Sequence, residues 1–202
     1  QGKENNWVDH VRRDPCDVSV PINLQYAWLL RRAAEVAEAY GDADSAQQWR
    51  ETSQKVRQSI RDGFWDAAAG LYRDGSPNGK LCPNFSTHAN YLALICGLGD
   101  GGRKERILSA LNDPAQAGKI IDFGAPFFWW PHAALFEIGE PQAALDLMRK
   151  RYSRFYRKSD GGDTFWEEDS YLLGGHTWQP RYRSLAQNGS GSPAWFLHRE
   201  IL

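Results

Sequence analysis

The sequence predicts an all-α fold of helical hairpins arranged in two layers. Three observations predict it: apolar residues recur every three or four positions along most of the chain, segments apolar on all faces alternate with amphipathic ones, and no segment reads convincingly as part of a sheet. With 202 residues, 42% hydrophobic and 24% charged, the chain is long enough to bury a substantial core, and residues 1–202 read as a single domain segment.

The first helix is announced by Ser19-Val-Pro21, a cap residue followed by proline near the first turn. Ile22, Tyr26, Leu29, Ala33, Val36 and Tyr40 then recur at helical spacing until Gly41, and we expect them to form the buried face. Ala46, Trp49, Val56 and Ile60 carry a second helix up to Gly63, antiparallel to the first because the Gly-Asp connection is short. Phe64 to Gly75, punctuated by Gly70, reads as a compact loop or small hairpin. The segment from Ser86 through His88-Ala-Asn-Tyr-Leu-Ala-Leu-Ile-Cys96 is apolar on nearly every side, so its helix is buried on both. Arg103 to Leu111 is amphipathic again.

The alternation then repeats. Phe127-Phe-Trp-Trp-Pro-His-Ala-Ala-Leu-Phe136 is apolar almost all round, and Pro141 to Tyr152 is amphipathic through Ala144, Leu145 and Met148. Ser192-Pro193 starts a last helix with Trp195, Phe196, Leu197 and Ile201, for a total of about seven helices. In a simple bundle every helix would be amphipathic, whereas an inner apolar ring and an outer amphipathic ring explain the alternation. No fixed-period residue signature marks a helical solenoid.

Composition excludes several functions. The formal net charge is -1, without the basic surplus that holds phosphate backbones, so nucleic acid is not an expected partner. The longest apolar runs fall well short of the roughly 20 residues that cross a bilayer, and no membrane partner is expected. Cys16, Cys82 and Cys96 are odd in number and widely spaced, forming neither a disulfide framework nor a zinc knuckle. His88, His132, His176 and His198 lack the spacing of a helical metal pair, so no metal site and no cofactor is expected. The glycine pairs lack the setting of a phosphate-binding loop, and no serine lies in Gly-x-Ser-x-Gly. Nothing assigns a cellular compartment, and a chain opening at Gln1 leads us to expect an upstream part of the polypeptide.

Thr164-Phe-Trp166-Glu167-Glu168-Asp169 carries three consecutive carboxylates beside a tryptophan, after the loop Ser159-Asp-Gly-Gly-Asp163. Glycoside hydrolysis needs carboxyl groups flanking the scissile bond, and an apolar wall such as Trp166 raises a neighbouring carboxyl's pKa. A solvated acidic loop anchored by tryptophan is the plainer reading of the same residues. Trp7-Val-Asp9-His10 offers an aromatic platform and polar groups for sugar hydroxyls, against the alternative of a frayed terminus. Nine tryptophans, Trp129 among them, supply further flat surfaces suited to sugar rings or to a large core.

The ordered set of segments resembles the bacterial α-L-rhamnosidases of glycoside hydrolase family 78. It comprises Trp7-Val-Asp9, Tyr40-Gly-Asp42, Gly63-Phe-Trp-Asp66 with Gly70-Leu-Tyr72, His88-Ala-Asn-Tyr-Leu-Ala-Leu94, Ala125-Pro-Phe-Phe128, Ala144-Leu-Asp-Leu147, Thr164-Phe-Trp-Glu167 and Ser184 to Leu197 with its Pro193-Ala-Trp-Phe-Leu197. The resemblance implies an (α/α)6 barrel of six helical hairpins, of which this chain holds about half. It implies that Glu167 is the general base of an inverting glycosidase acting on a terminal α-L-rhamnose-like sugar. Trp7, Asp9, His10, Trp129, Trp166, Glu168 and Gln187 are then expected to shape the sugar pocket.

The family's general acid lies upstream of everything matched, so it and the remainder of the barrel are expected from outside this chain. Where the family commonly shows Ser-x-x-His followed by Gly-Trp, this chain has Ser184-Leu-Ala-Gln187-Asn-Gly189, which replaces a histidine facing the sugar and removes an aromatic wall. The same toroid also serves polysaccharide lyases and could serve as a non-catalytic saccharide-binding or structural module, and these stand as alternatives.

Overall fold

A computed structural model describes residues 17–124, 127–153 and 191–202. The chain divides into two compact units, which within the described residues comprise 17–121 in the first and 122–124, 127–153 and 191–202 in the second.

The first unit opens with β1 (Val18–Ser19) and α1 (Val20–Ala39), followed by α2 (Ala43–Gly63). Gly41, at φ +81°, makes the turn between them in the left-handed region that glycine adopts without strain. Asp42 then caps α2 by accepting from the Ser45 N–H at 3.1 Å. Ser19 sits at the start of α1 as expected, but its side chain makes no capping bond. The short connection makes the two helices an antiparallel pair, whose seam is Ala34, Ala37 and Ala46 with Trp49 packed against them.

The buried face of α1 differs from the expected one. Val20, Leu24, Ala27, Ala34 and Ala37 are buried, whereas Tyr26, Leu29, Val36 and Tyr40 are 48%, 56%, 57% and 87% exposed. The two stripes lie two residues apart along the helix, hence on opposite faces. Small alanines let α1 and α2 approach closely, so the seam took the small face and left the bulky one outside.

Short strand pairs follow. β2 (Trp65–Asp66) and β3 (Leu71–Tyr72) form an antiparallel hairpin, in keeping with the expected small hairpin. β4 (Gly75–Ser76) pairs with β1 antiparallel, and β5 (Phe85–Ser86) pairs with β6 (Ile120–Ile121) in parallel. None was expected from the sequence, because two-residue strands leave no periodic signal. Between them stand α3 (Thr87–Ile95), buried at every position, and the amphipathic α4 (Arg103–Asn112).

Asn90 ties α3 to the hairpin. Its side-chain oxygen accepts from the Tyr72 N–H at 2.9 Å, and its amide nitrogen donates to the carbonyls of Tyr72 at 3.1 Å and Ser86 at 2.9 Å. The amide thereby serves Tyr72 as a neighbouring strand would, which satisfies an edge that burial would otherwise leave unpaired. Ser86 caps α3 through the Ala89 N–H and also donates to the buried Asp74. Tyr72 donates to the Leu98 carbonyl at 3.0 Å and accepts from Arg103 at 2.7 Å, and the Arg103 guanidinium lies over Trp65.

The second unit holds α5 (Trp129–Glu137), α6 (Pro141–Tyr152) and α7 (Ser192–Glu200). α5 packs on both α6 and α7. Seven α-helices therefore occur among the described residues.

Candidate functional site

Of the residues expected to form the site, Trp7, Asp9, His10, Trp166, Glu167, Glu168 and Gln187 lie outside the described residues. Trp129 is described, at the start of α5. Its indole is half-buried and stands 5.0 Å from Trp130 at 89°, with Phe196 at 5.9 Å and Trp195 at 6.1 Å. Pro193-Ala-Trp-Phe196 brings the last two rings from α7, so a helix read from its proline cap delivers two aromatics to one on α5. Trp195 remains 44% exposed, and the Arg199 guanidinium lies over it at 4.8 Å. Partly exposed indoles pack well against the C–H faces of sugar rings while their N–H edges stay available for hydrogen bonds.

One turn further along α5, His132 is fully buried among Phe128, Tyr152 and Phe196, at ring separations of 6.4, 6.1 and 5.8 Å. Neither ring nitrogen reaches a hydrogen-bond partner among the described residues. Burial pushes its pKa down to about 3, the Arg151 charge acting in the same direction. The imidazole is thus neutral at physiological pH. Sequence reasoning set this histidine aside for want of metal spacing; its place in an otherwise apolar helix was the signal of an enclosed polar group. Nearby, Arg151 is also buried, stacked over Phe123 at 4.3 Å and paired with Asp122.

Asp74 and Asp66 of the first unit are structural. Asp74 accepts from Ser86, its carbonyl accepts from the Val20 N–H, and its own N–H donates to the Asn84 carbonyl. Asp66 is held below the usual carboxylate range chiefly by the Ala69 N–H, with Arg73 and the Ala68 N–H adding to it. Among the described residues no group of three or more metal-ligating side chains converges, and no helix is long and apolar enough to cross a membrane. Cys82 and Cys96 are both buried, and the Cys96 thiol lies 3.3 Å from the Leu24 carbonyl.

A family model described as the bacterial alpha-L-rhamnosidase six-hairpin glycosidase domain matches residues 4–201. The chain belongs to this family. Two rhamnosidase structures share its fold. The glycoside hydrolase family 78 rhamnosidase of Bacillus sp. GL1 superposes with a TM-score of 0.80 at 23% identity, covering 97% of this chain and 21% of that one. A rhamnosidase from Klebsiella oxytoca, solved with rhamnose bound, gives 0.68 at 21% identity, covering 91% of this chain and 34% of that one. The rhamnosidase-type domain described here thus spans about a fifth to a third of the length of these proteins. No curated protein matches the chain.

The fold and family agree with the expected all-α, six-hairpin architecture. The alternation of all-apolar α3 and α5 with amphipathic α4 and α6 is the pattern that a two-layered helical toroid requires.

Proposed function

We propose that the polypeptide carrying this domain is a glycoside hydrolase that releases a terminal α-L-rhamnose-like sugar with inversion of configuration. The observation that carries this reading is the rhamnosidase six-hairpin family match over residues 4–201, which includes Thr164-Phe-Trp166-Glu167. Glu167 acts as general base, taking a proton from water as it attacks the anomeric carbon on the face opposite the leaving group. The general acid that protonates the departing oxygen comes from a part of the polypeptide outside this chain. Trp7, Asp9, His10, Trp129, Trp166, Glu168 and Gln187 shape the sugar pocket; for Trp129 the half-buried ring beside Trp130 and Trp195 supports a stacking role.

The remainder of the domain also covers the outward face of α1. Tyr26, Leu29, Val36 and Tyr40 form an apolar stripe of the kind that soluble proteins keep for a neighbour. In the intact polypeptide, Glu167→Gln is expected to lower kcat on an aryl α-L-rhamnoside by about three orders of magnitude with little change in KM. Proton NMR of the first product formed by the unaltered protein should show the inverted anomer. Wild-type turnover by Glu167→Gln would remove the base from Glu167, and saturable rhamnoside binding without hydrolysis by the intact protein would favour a non-catalytic saccharide-binding module.

A further inference from the structure

α2 carries two stripes with different chemistry. Ala46, Ser53 and Ile60 face the core at seven-residue spacing, and Arg50, Gln54, Arg57 and Arg61, spaced four, three and four residues apart, form a neighbouring stripe. That second stripe lines a groove of about 430 Å3, together with Arg31 of α1 and Leu98 beyond α3. Four guanidinium groups therefore border one cavity within the first unit.

The carbonyl end of α3 helps hold them. Arg31 reaches the Ile95 carbonyl and Arg61 the Gly97 carbonyl, each at 3.4 Å, where the helix dipole favours positive charge. Gly97, at φ +73°, has no side chain where the Arg57 terminal nitrogen lies, only 3.0 Å from the position a Cβ would take. Arg57 packs its guanidinium against this bare backbone. It makes no ion pair among the described residues, and its Nε is buried without a hydrogen-bond partner.

Among the described residues, the acidic groups nearby do not close the groove. Glu38 pairs with Arg50 and Asp100 with Arg61, but both carboxylates are more than half exposed, and Asp62 is an exposed acceptor for Gln58, which also lines the groove. Exposed ion pairs of this kind are weak, so an incoming anion competes with them readily. Each guanidinium also has five donors, more than one carboxylate occupies.

We infer that this groove, lined by Arg31, Arg50, Arg57 and Arg61, is a binding site for an oxyanion. Bidentate guanidinium contacts suit sulfate, phosphate and carboxylate oxygens alike. The cavity is far larger than a bare sulfate and falls within the size range of small-ligand sites, so it also has room for a ring that bears the anion.

The test is isothermal titration calorimetry on the intact polypeptide at fixed ionic strength, with sodium sulfate and separately with a hexuronate. Saturable binding of either is expected, weakened at least tenfold by Arg57→Gln and also weakened by Arg50→Gln, an exposed substitution that leaves the core untouched. Tighter binding of the hexuronate than of sulfate would identify a saccharide-borne carboxylate as the ligand; the reverse order would identify a free inorganic anion. Absence of saturable binding to the unaltered protein, as when an acidic segment of the polypeptide already fills the groove, would overturn the inference. So would unchanged affinity in both variants.

Discussion

His132 and Asn90 are both polar, both fully buried and both set in helices that are otherwise apolar, yet they differ in what surrounds them. Asn90 has its oxygen and its nitrogen bonded to backbone groups, so it binds α3 to the hairpin at little desolvation cost. His132 is enclosed by rings and held neutral with a pKa near 3. In the unfolded chain the same imidazole titrates near 6.5, so between those values the unfolded state binds the extra proton and stability falls as pH falls. Above about pH 6.5 the residue contributes no pH dependence; below it the loss approaches ~1.4 kcal/mol per pH unit. Urea unfolding of the intact polypeptide from pH 7 to pH 4 should therefore be less steep in pH for His132→Leu than for the unaltered protein, and parallel curves would remove His132 as the cause. The sequence showed that these residues interrupt apolar runs. Which one finds partners depends on Tyr72 and Ser86 for Asn90 and on Tyr152 and Phe196 for His132, residues 4 to 64 positions away that periodicity does not place.

At the scale of elements, α1 is apolar on two opposite faces. Its small face packs on α2 through Ala34, Ala37 and Ala46, while Leu29 and Val36 point outward. Helical spacing was legible in both stripes, but spacing alone does not rank them; side-chain volume does, because close approach of two helices favours alanine. If the remainder of the domain covers the bulky stripe, the double substitution Leu29→Ser and Val36→Ser should lower the stability of the intact polypeptide by on the order of 3 kcal/mol. Surface positions would cost within about 0.5 kcal/mol each. Thermal unfolding of the intact protein separates the two, and an unchanged midpoint would mean that the face stays in water. The helix boundaries were read more securely, since caps and glycines act locally: Asp42 begins α2, Ser86 begins α3, and Pro141 opens α6 where the sequence placed it.

At the scale of the whole molecule, the chain covers 21% and 34% of the two rhamnosidases whose fold it shares. An inverting glycosidase needs an acid as well as a base, and the proposed function assigns only the base, Glu167, to these residues. Residues 1–202 expressed alone should therefore release no sugar from an aryl α-L-rhamnoside, whereas the intact polypeptide should; release by the isolated residues would locate the acid among them. The charge pattern belongs to this scale too. A net charge of -1 gave no hint of a basic site, because four arginines gathered by one groove vanish in a sum over 202 residues.

The sequence by itself determined the class of the fold, the order of its helices and the family. These follow from local rules, in which caps, glycines and apolar spacing act over a few residues, and from motifs such as Thr164-Phe-Trp-Glu167 that are read in a line. Only the tertiary structure decided which face of α1 is buried, that Asn90 closes the edge of a strand, that His132 is shut among aromatic rings, and that Arg31 joins three arginines of α2 around one groove. Each of those depends on contacts between residues distant in the chain. Periodicity specifies the faces a helix has, but side-chain volume and available partners select the one that meets the core.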